Sequence, residues 1–147
     1  DARRLSSPAW SPDGRRLAWR TSGAIALFDL TARTGRLLHP YQGVGMGGWE
    51  PSPSWSPDGQ WLSTYIRDQN PEQAGLWLLR PDGSEEHRLG SGSYTWSPDS
   101  RWIAITTSSQ SAPTVTTLVE VGTWRHQEIM LPDDAYVVAW WAAEAAK

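Results

Sequence analysis

The pentapeptide Trp10-Ser11-Pro12-Asp13-Gly14 returns as Trp55-Ser56-Pro57-Asp58-Gly59 and, with one change, as Trp96-Ser97-Pro98-Asp99-Ser100. The copies lie 45 and then 41 residues apart. One P-D-G is only a tight turn: Pro sets φ, Asp caps the turn with its carboxylate, and Gly takes the φ > 0 position. Three copies in register, each led by Trp-Ser, define a repeat, and their flanks repeat too. A β-rich run follows each turn, over Arg16 to Trp19, Trp61 to Ile66 and Trp102 to Thr106. A second run covers Ala24 to Leu30, Leu76 to Leu79 and Thr114 to Val121, and a short last run closes each period at Arg36 to Leu38, His87 to Leu89 and Arg125 to Ile129. Each period therefore spells strand, turn, strand, loop, strand, turn, strand.

A four-stranded unit with a period of about 40 to 45 residues is the size of a propeller blade. The fold expected is all-β, with three four-stranded antiparallel blades at about 4–40, 51–90 and 93–131 in a single repeat domain, 1–147. The repeat resembles the WSPDG-type propeller repeat of the TolB family, which also occurs in propeller domains of prolyl oligopeptidase-type peptidases. The resemblance runs from about Arg4 to Trp141 and rests on Trp10, Pro12, Asp13, Gly14, Trp55, Pro57, Asp58, Gly59, Trp96, Pro98 and Asp99. It implies innermost strands at about Pro8 to Ser11, Pro53 to Ser56, Tyr94 to Ser97 and Tyr136 to Trp141, with the D-G pair turning the chain into the second strand. A periplasmic or extracellular location is an expectation from this resemblance alone. The motif marks a fold strongly and a function weakly, because function resides in sites grafted on folds.

The fourth inner strand, at about 135–141, departs from the pattern. Trp141 falls 45 residues after Trp96, but Ala142-Ala143-Glu144-Ala145-Ala146-Lys147 replaces the Ser, Pro and Gly of the turn. Alanine favours helix, yet six residues do not hold one unaided. Closed propellers carry about four to eight blades, so three blades and a surplus strand leave sheet faces uncovered, and uncovered apolar patches drive association. The expectation is a partial propeller that closes as a homo-oligomer, two copies giving a six-bladed ring; the surplus strand would compete with Pro8 to Ser11 of the next copy. The alternative is a piece of a longer propeller. Charge fits head-to-tail closure: Asp1 to Arg36 holds seven Arg against three Asp, and the remainder six Lys or Arg against thirteen Asp or Glu. Such complementarity aids association rate and register, while exposed charges are commonly plain surface.

Eleven Trp against one Phe suits stacked sheets, since Trp brings large rigid area. Trp10, Trp55 and Trp96 are read as structural, as are Trp19, Trp61 and Trp102. A pI near 5.5 without a basic stripe gives no support to nucleic-acid binding. There is no Cys, hence no disulfide framework or thiolate metal site. No apolar run is long enough for a membrane span and no targeting segment is recognisable after Asp1, so membrane insertion is not expected. No nucleophile elbow, H-E-x-x-H, Walker or EF-hand pattern occurs, and no catalytic residue, cofactor or metal is expected. His39, His87 and His126 read as partly exposed outer-edge residues too far apart to share a metal, Asp13, Asp58 and Asp99 as turn residues of separate blades, and Asp133-Asp134 as a solvated loop.

The loops on one face of the ring are better candidates. Tyr41 to Glu50 is Gly-rich but lacks the Lys and the strand-to-helix setting of a phosphate loop. Its Tyr41, Met46 and Trp49 suit a protein or peptide contact. Arg67, Asp68 and Asn70, in the segment Arg67 to Gln73, would stand beside it, with Ser108 to Pro113 in the third blade. Three functions follow as expectations: a non-catalytic scaffold recognising a protein or peptide through these loops; the gating propeller of a larger serine peptidase; and a carbohydrate-binding propeller, which needs Trp on the rim rather than in strands.

Overall fold

Alternating β-rich runs and P-D-G turns fold locally into antiparallel meanders, because each turn returns the chain directly alongside the strand it has just left. The computed structural model describes residues 7–42, 51–109 and 112–130. The surplus strand at about 135–141, with Met46 and Trp49, lies outside the described residues.

The chain divides into two compact units, Asp1–Gly90 and Ser91–Lys147. The first unit holds two sheets. One consists of β1 (Ala9–Trp10), β2 (Arg16–Arg20), β3 (Ile25–Asp29) and β4 (Thr34–Leu38). The other consists of β5 (Ser54–Trp55), β6 (Leu62–Ile66), β7 (Gly75–Leu79) and β8 (Glu86–Gly90). The second unit holds β9 (Ser93–Trp96), β10 (Trp102–Ser109), β11 (Ala112–Glu120) and β12 (His126–Met130). Within every sheet the strands lie in sequence order, all pairs antiparallel. No helix occurs among the described residues. The three sheets are four-stranded antiparallel propeller blades.

Register shows that the repeat is one of structure as well as letters. Trp10 faces Leu17, Trp55 faces Leu62, and Trp96 faces Ile103. On the next strand the partners follow suit, Leu17 with Phe28, Leu62 with Leu79 and Ile103 with Val119. The second sheet has one irregularity, between Leu76 and Trp77. Gly75 enables it: at φ +133° it lies so near the neighbouring strand that a Cβ would come 2.4 Å from the Gly90 carbonyl oxygen.

Side chains alternate across a strand, so each sheet has two faces. In the first sheet one face carries Ala18, Ile25, Leu27 and Leu38, which pack against Trp55, Leu62, Ile66, Trp77 and Leu79 of the second sheet as one core. The opposite face carries Trp10, Leu17, Trp19, Ala26, Phe28 and Leu37. There Trp10 is 57% and Leu37 69% exposed, whereas Trp55, the repeat equivalent of Trp10, is 8% exposed. The motif tryptophans are thus equivalent in register and unequal in burial.

Candidate functional site

Each motif turn is closed by its serine. Ser11 Oγ donates to Asp13 Oδ1 at 2.5 Å and accepts from the Arg16 amide at 2.9 Å, while the Ser11 amide donates to the Arg16 carbonyl at 2.9 Å. Ser56 repeats this with Asp58 and Trp61, and Ser97 with Asp99 and Trp102. All three serines are buried. Ser11 and Arg15 donate to Asp13, and Ser97 and Arg101 to Asp99, and these hydrogen bonds hold both carboxyl groups below the usual carboxylate range. Gly14, Gly59 and Ser100 follow at φ of 68°, 69° and 61°. The aspartates thus sit in separate turns, and the serine, which stands in all three copies, is the turn residue that reading Pro, Asp and Gly alone passes over.

Between the first two blades runs a ladder in which the first sheet supplies cations and the second supplies carbonyls. Arg16 lies 4.8 Å over the Trp55 ring and donates from Nη2 to the Gly59 carbonyl at 2.9 Å. Arg20, 6% exposed, donates to the Tyr65 carbonyl. Arg36 reaches the Asp82 carbonyl at 2.8 Å, and the Trp55 indole returns a bond to the Ala9 carbonyl at 3.0 Å. His39 belongs here too. Contrary to the outer-edge expectation it is 8% exposed, because its ring packs 4.2 Å from Trp77 and its Nδ1 meets Glu86 at 2.9 Å. His87 is half-buried against Glu85, and His126 is exposed.

The ladder ends in a rim. Tyr41 donates its hydroxyl to the Thr21 carbonyl at 2.7 Å and its amide to Gly23 at 2.9 Å, with Arg20 5.7 Å from its ring. Asp68 then spans two loops, accepting from the Gln42 amide at 2.7 Å and the Asn70 amide at 2.8 Å. Asn70 caps the turn below it through Glu72. Arg88 clamps the same loop at the Pro71 and Ala74 carbonyls, 3.2 and 2.7 Å away. The result is a loop braced from both sides that displays Arg67, Gln69, Asn70, Glu72 and Gln73 to solvent. Structure therefore brings together Tyr41, Arg67, Asp68 and Asn70. Residues 110 and 111 of the third-blade loop lie outside the described residues. Among the described residues no group of three His, Asp or Glu side chains converges in a way that could hold a metal.

Solved structures show the same architecture. The propeller domain of the Trilobed protease from Pyrococcus furiosus superimposes with a TM-score of 0.62 at 16% identity, over 88% of this chain and 43% of that one. An oligogalacturonate lyase solved with manganese gives 0.60 at 12% identity, over 84% and 40%. TolB from Acinetobacter baumannii gives 0.55 at 18% identity, over 85% and 32%. The chain spans less than half the length of each. No family model matches the sequence, and no curated protein does. Repeat, strand order and structural likeness together make this chain a set of β-propeller blades of the kind found in TolB and in peptidase propeller domains.

Proposed function

We propose that the chain is a non-catalytic propeller scaffold that recognises a protein or peptide through the rim at Tyr41 and Arg67 to Gln73. The observation that carries this reading is the double attachment of Asp68, which braces the loop and so lowers its ordering cost on binding. Its exposed Arg, Gln, Asn and Glu offer both donors and acceptors to an extended backbone. Panning a random peptide display library on the immobilised chain tests it. Enriched peptides should lose binding at least tenfold to the double variant Arg67→Ala with Gln69→Ala while the far-UV circular dichroism is kept. Enriched peptides that ignore both changes, or no enrichment at all, would remove the rim from consideration.

A second reading is favoured by the likeness to a protease's propeller domain combined with the partial coverage of it. Here the blades belong to the gating propeller of a larger serine peptidase, and a parent gene encoding a G-x-S-x-G segment would support it. The carbohydrate reading draws less support, because Trp10, the exposed tryptophan among the described residues, lies on a sheet face and not on the rim.

A further inference from the structure

Among the described residues, large apolar side chains are exposed in one region, the first sheet. Trp10 and Leu37 stand on its face turned away from the second sheet, and Leu30 is next in that alternation just past β3. Half-buried Leu17, Trp19 and Phe28 fill the space between them. An apolar sheet face of this breadth marks an interaction site.

The second sheet shows what covers such a face. Its equivalent face lies against the first sheet, and the two correspond position by position: Trp10 and Leu17 to Trp55 and Leu62, and Phe28 to Leu79. Where they differ, bulk is exchanged across one strand pair. Trp19 with Ala26 stands where the second sheet has Thr64 with Trp77, so each pair keeps one tryptophan and both faces fill a similar gap. The covering blade supplies the Ala9 carbonyl to the Trp55 indole and lays Arg16 over its ring. It also packs on the motif turn: a Cβ at Gly59 would meet the Arg16 guanidinium at 3.3 Å and the Pro12 ring at 3.4 Å, whereas at Gly14 nothing lies within 4 Å. The first sheet therefore repeats, at Trp10 and Gly14, the receiving half of this joint.

We propose that this face receives a further four-stranded blade of the same repeat, encoded directly upstream of Asp1 in the same polypeptide. That blade presents to the Trp10 indole the carbonyl one residue ahead of its own motif tryptophan, and sets its motif proline against Gly14. The contact continues the joint between the first two sheets, as stacking of repeats requires. The solved propellers run on past the part that this chain matches, which is 43% of the Trilobed protease domain and 32% of the Acinetobacter baumannii TolB. A second copy is a poorer occupant. Joined head to tail it would bring its third sheet, where Ala104, Thr106 and Thr116 are already buried. This inference does not depend on the rim reading, since none of its residues belongs to the rim.

The chain has no cysteine, so one introduced thiol is a clean reporter of cover. Trp10→Cys, Leu37→Cys and, as a control on the rim, Gln69→Cys are made singly in this chain and in the chain extended upstream by one period of 45 residues. Maleimide labelling is timed at two protein concentrations, with circular dichroism confirming the fold. Positions 10 and 37 should react rapidly in this chain and about tenfold or more slowly in the extended one, while position 69 keeps its rate. Leu37→Cys, on an exposed edge strand, carries the test if Trp10→Cys fails to fold. An upstream sequence without a Trp-Ser-Pro-Asp unit, or unchanged rates in a folded extended chain, would overturn the proposal. Slow labelling in this chain itself would overturn it equally, giving the face to a second copy if dilution restores the rate and to the chain's own remainder if it does not.

Discussion

Trp55 and Trp10 hold the same register position in successive blades, yet one is sealed between two sheets and the other is more than half exposed. Nothing in their own pentapeptides distinguishes them. What differs is the sheet in front: Trp55 has Ala9, Arg16 and the apolar face of the first blade, and Trp10 has no described sheet of its own unit against it. The lesson concerns where stability resides. A blade's turns are satisfied locally, whereas its hydrophobic stabilisation comes from its neighbour, as in other repeat architectures where interface terms carry the fold.

Truncation of the two tryptophans is the widest test of that contrast. Trp55→Ala should cost about 3–5 kcal/mol in urea unfolding, the range for a buried Trp. Trp10→Ala should stay within about 1 kcal/mol, as for other surface changes. Equal losses would mean that Trp10 is covered from within the same chain. A narrower test uses two arginines that both reach across to carbonyls of the second sheet. Arg20→Met should cost about 1–3 kcal/mol, because it removes the buried arginine's bond to the part-buried Tyr65 carbonyl. The exposed Arg36→Ala, which frees the Asp82 carbonyl to water, should change stability by no more than about 0.5 kcal/mol.

Acid provides the smallest and most distributed effect. Asp13, Asp82 and Asp99 are held below the usual carboxylate range by hydrogen bonds from Ser11, Ser84 and Ser97, and Glu85 by His87. A carboxyl whose folded value is depressed adds stability that is present above its unfolded value and lost as pH falls through the folded one. Thermal midpoints should therefore hold from neutrality to about pH 5 and decline below about pH 4. The Ser11→Ala and Ser97→Ala variants should show a shallower decline, since each removes the largest cause of its aspartate's depression; an identical slope would locate the acid sensitivity outside the turns.

Much of this architecture is legible in the sequence. Three pentapeptides in register announce three antiparallel meanders, and the apolar runs after them fall on the second and third strands because period-two alternation and β-branched or aromatic residues are both present there. The site is less legible. Asp68, Asn70 and Tyr41 are ordinary loop residues whose meaning comes from a bond between segments 26 positions apart, which no local pattern encodes. His39 misleads for a related reason: beside β4 it reads as an edge residue, and only packing against Trp77 of the next blade buries it. Arg16 and Arg20 likewise look like solvated charges until the facing carbonyls are in place.

The serine-aspartate clasp carries one more implication. Its bonds span five residues or fewer, so a hairpin can form as soon as its own strands exist, without waiting for distant sequence to arrive. Low separation between contacting residues is what makes early folding fast. As the ribosome lengthens this polypeptide, each stretch of about forty residues delivers another pre-closed corner against which the next sheet can be laid.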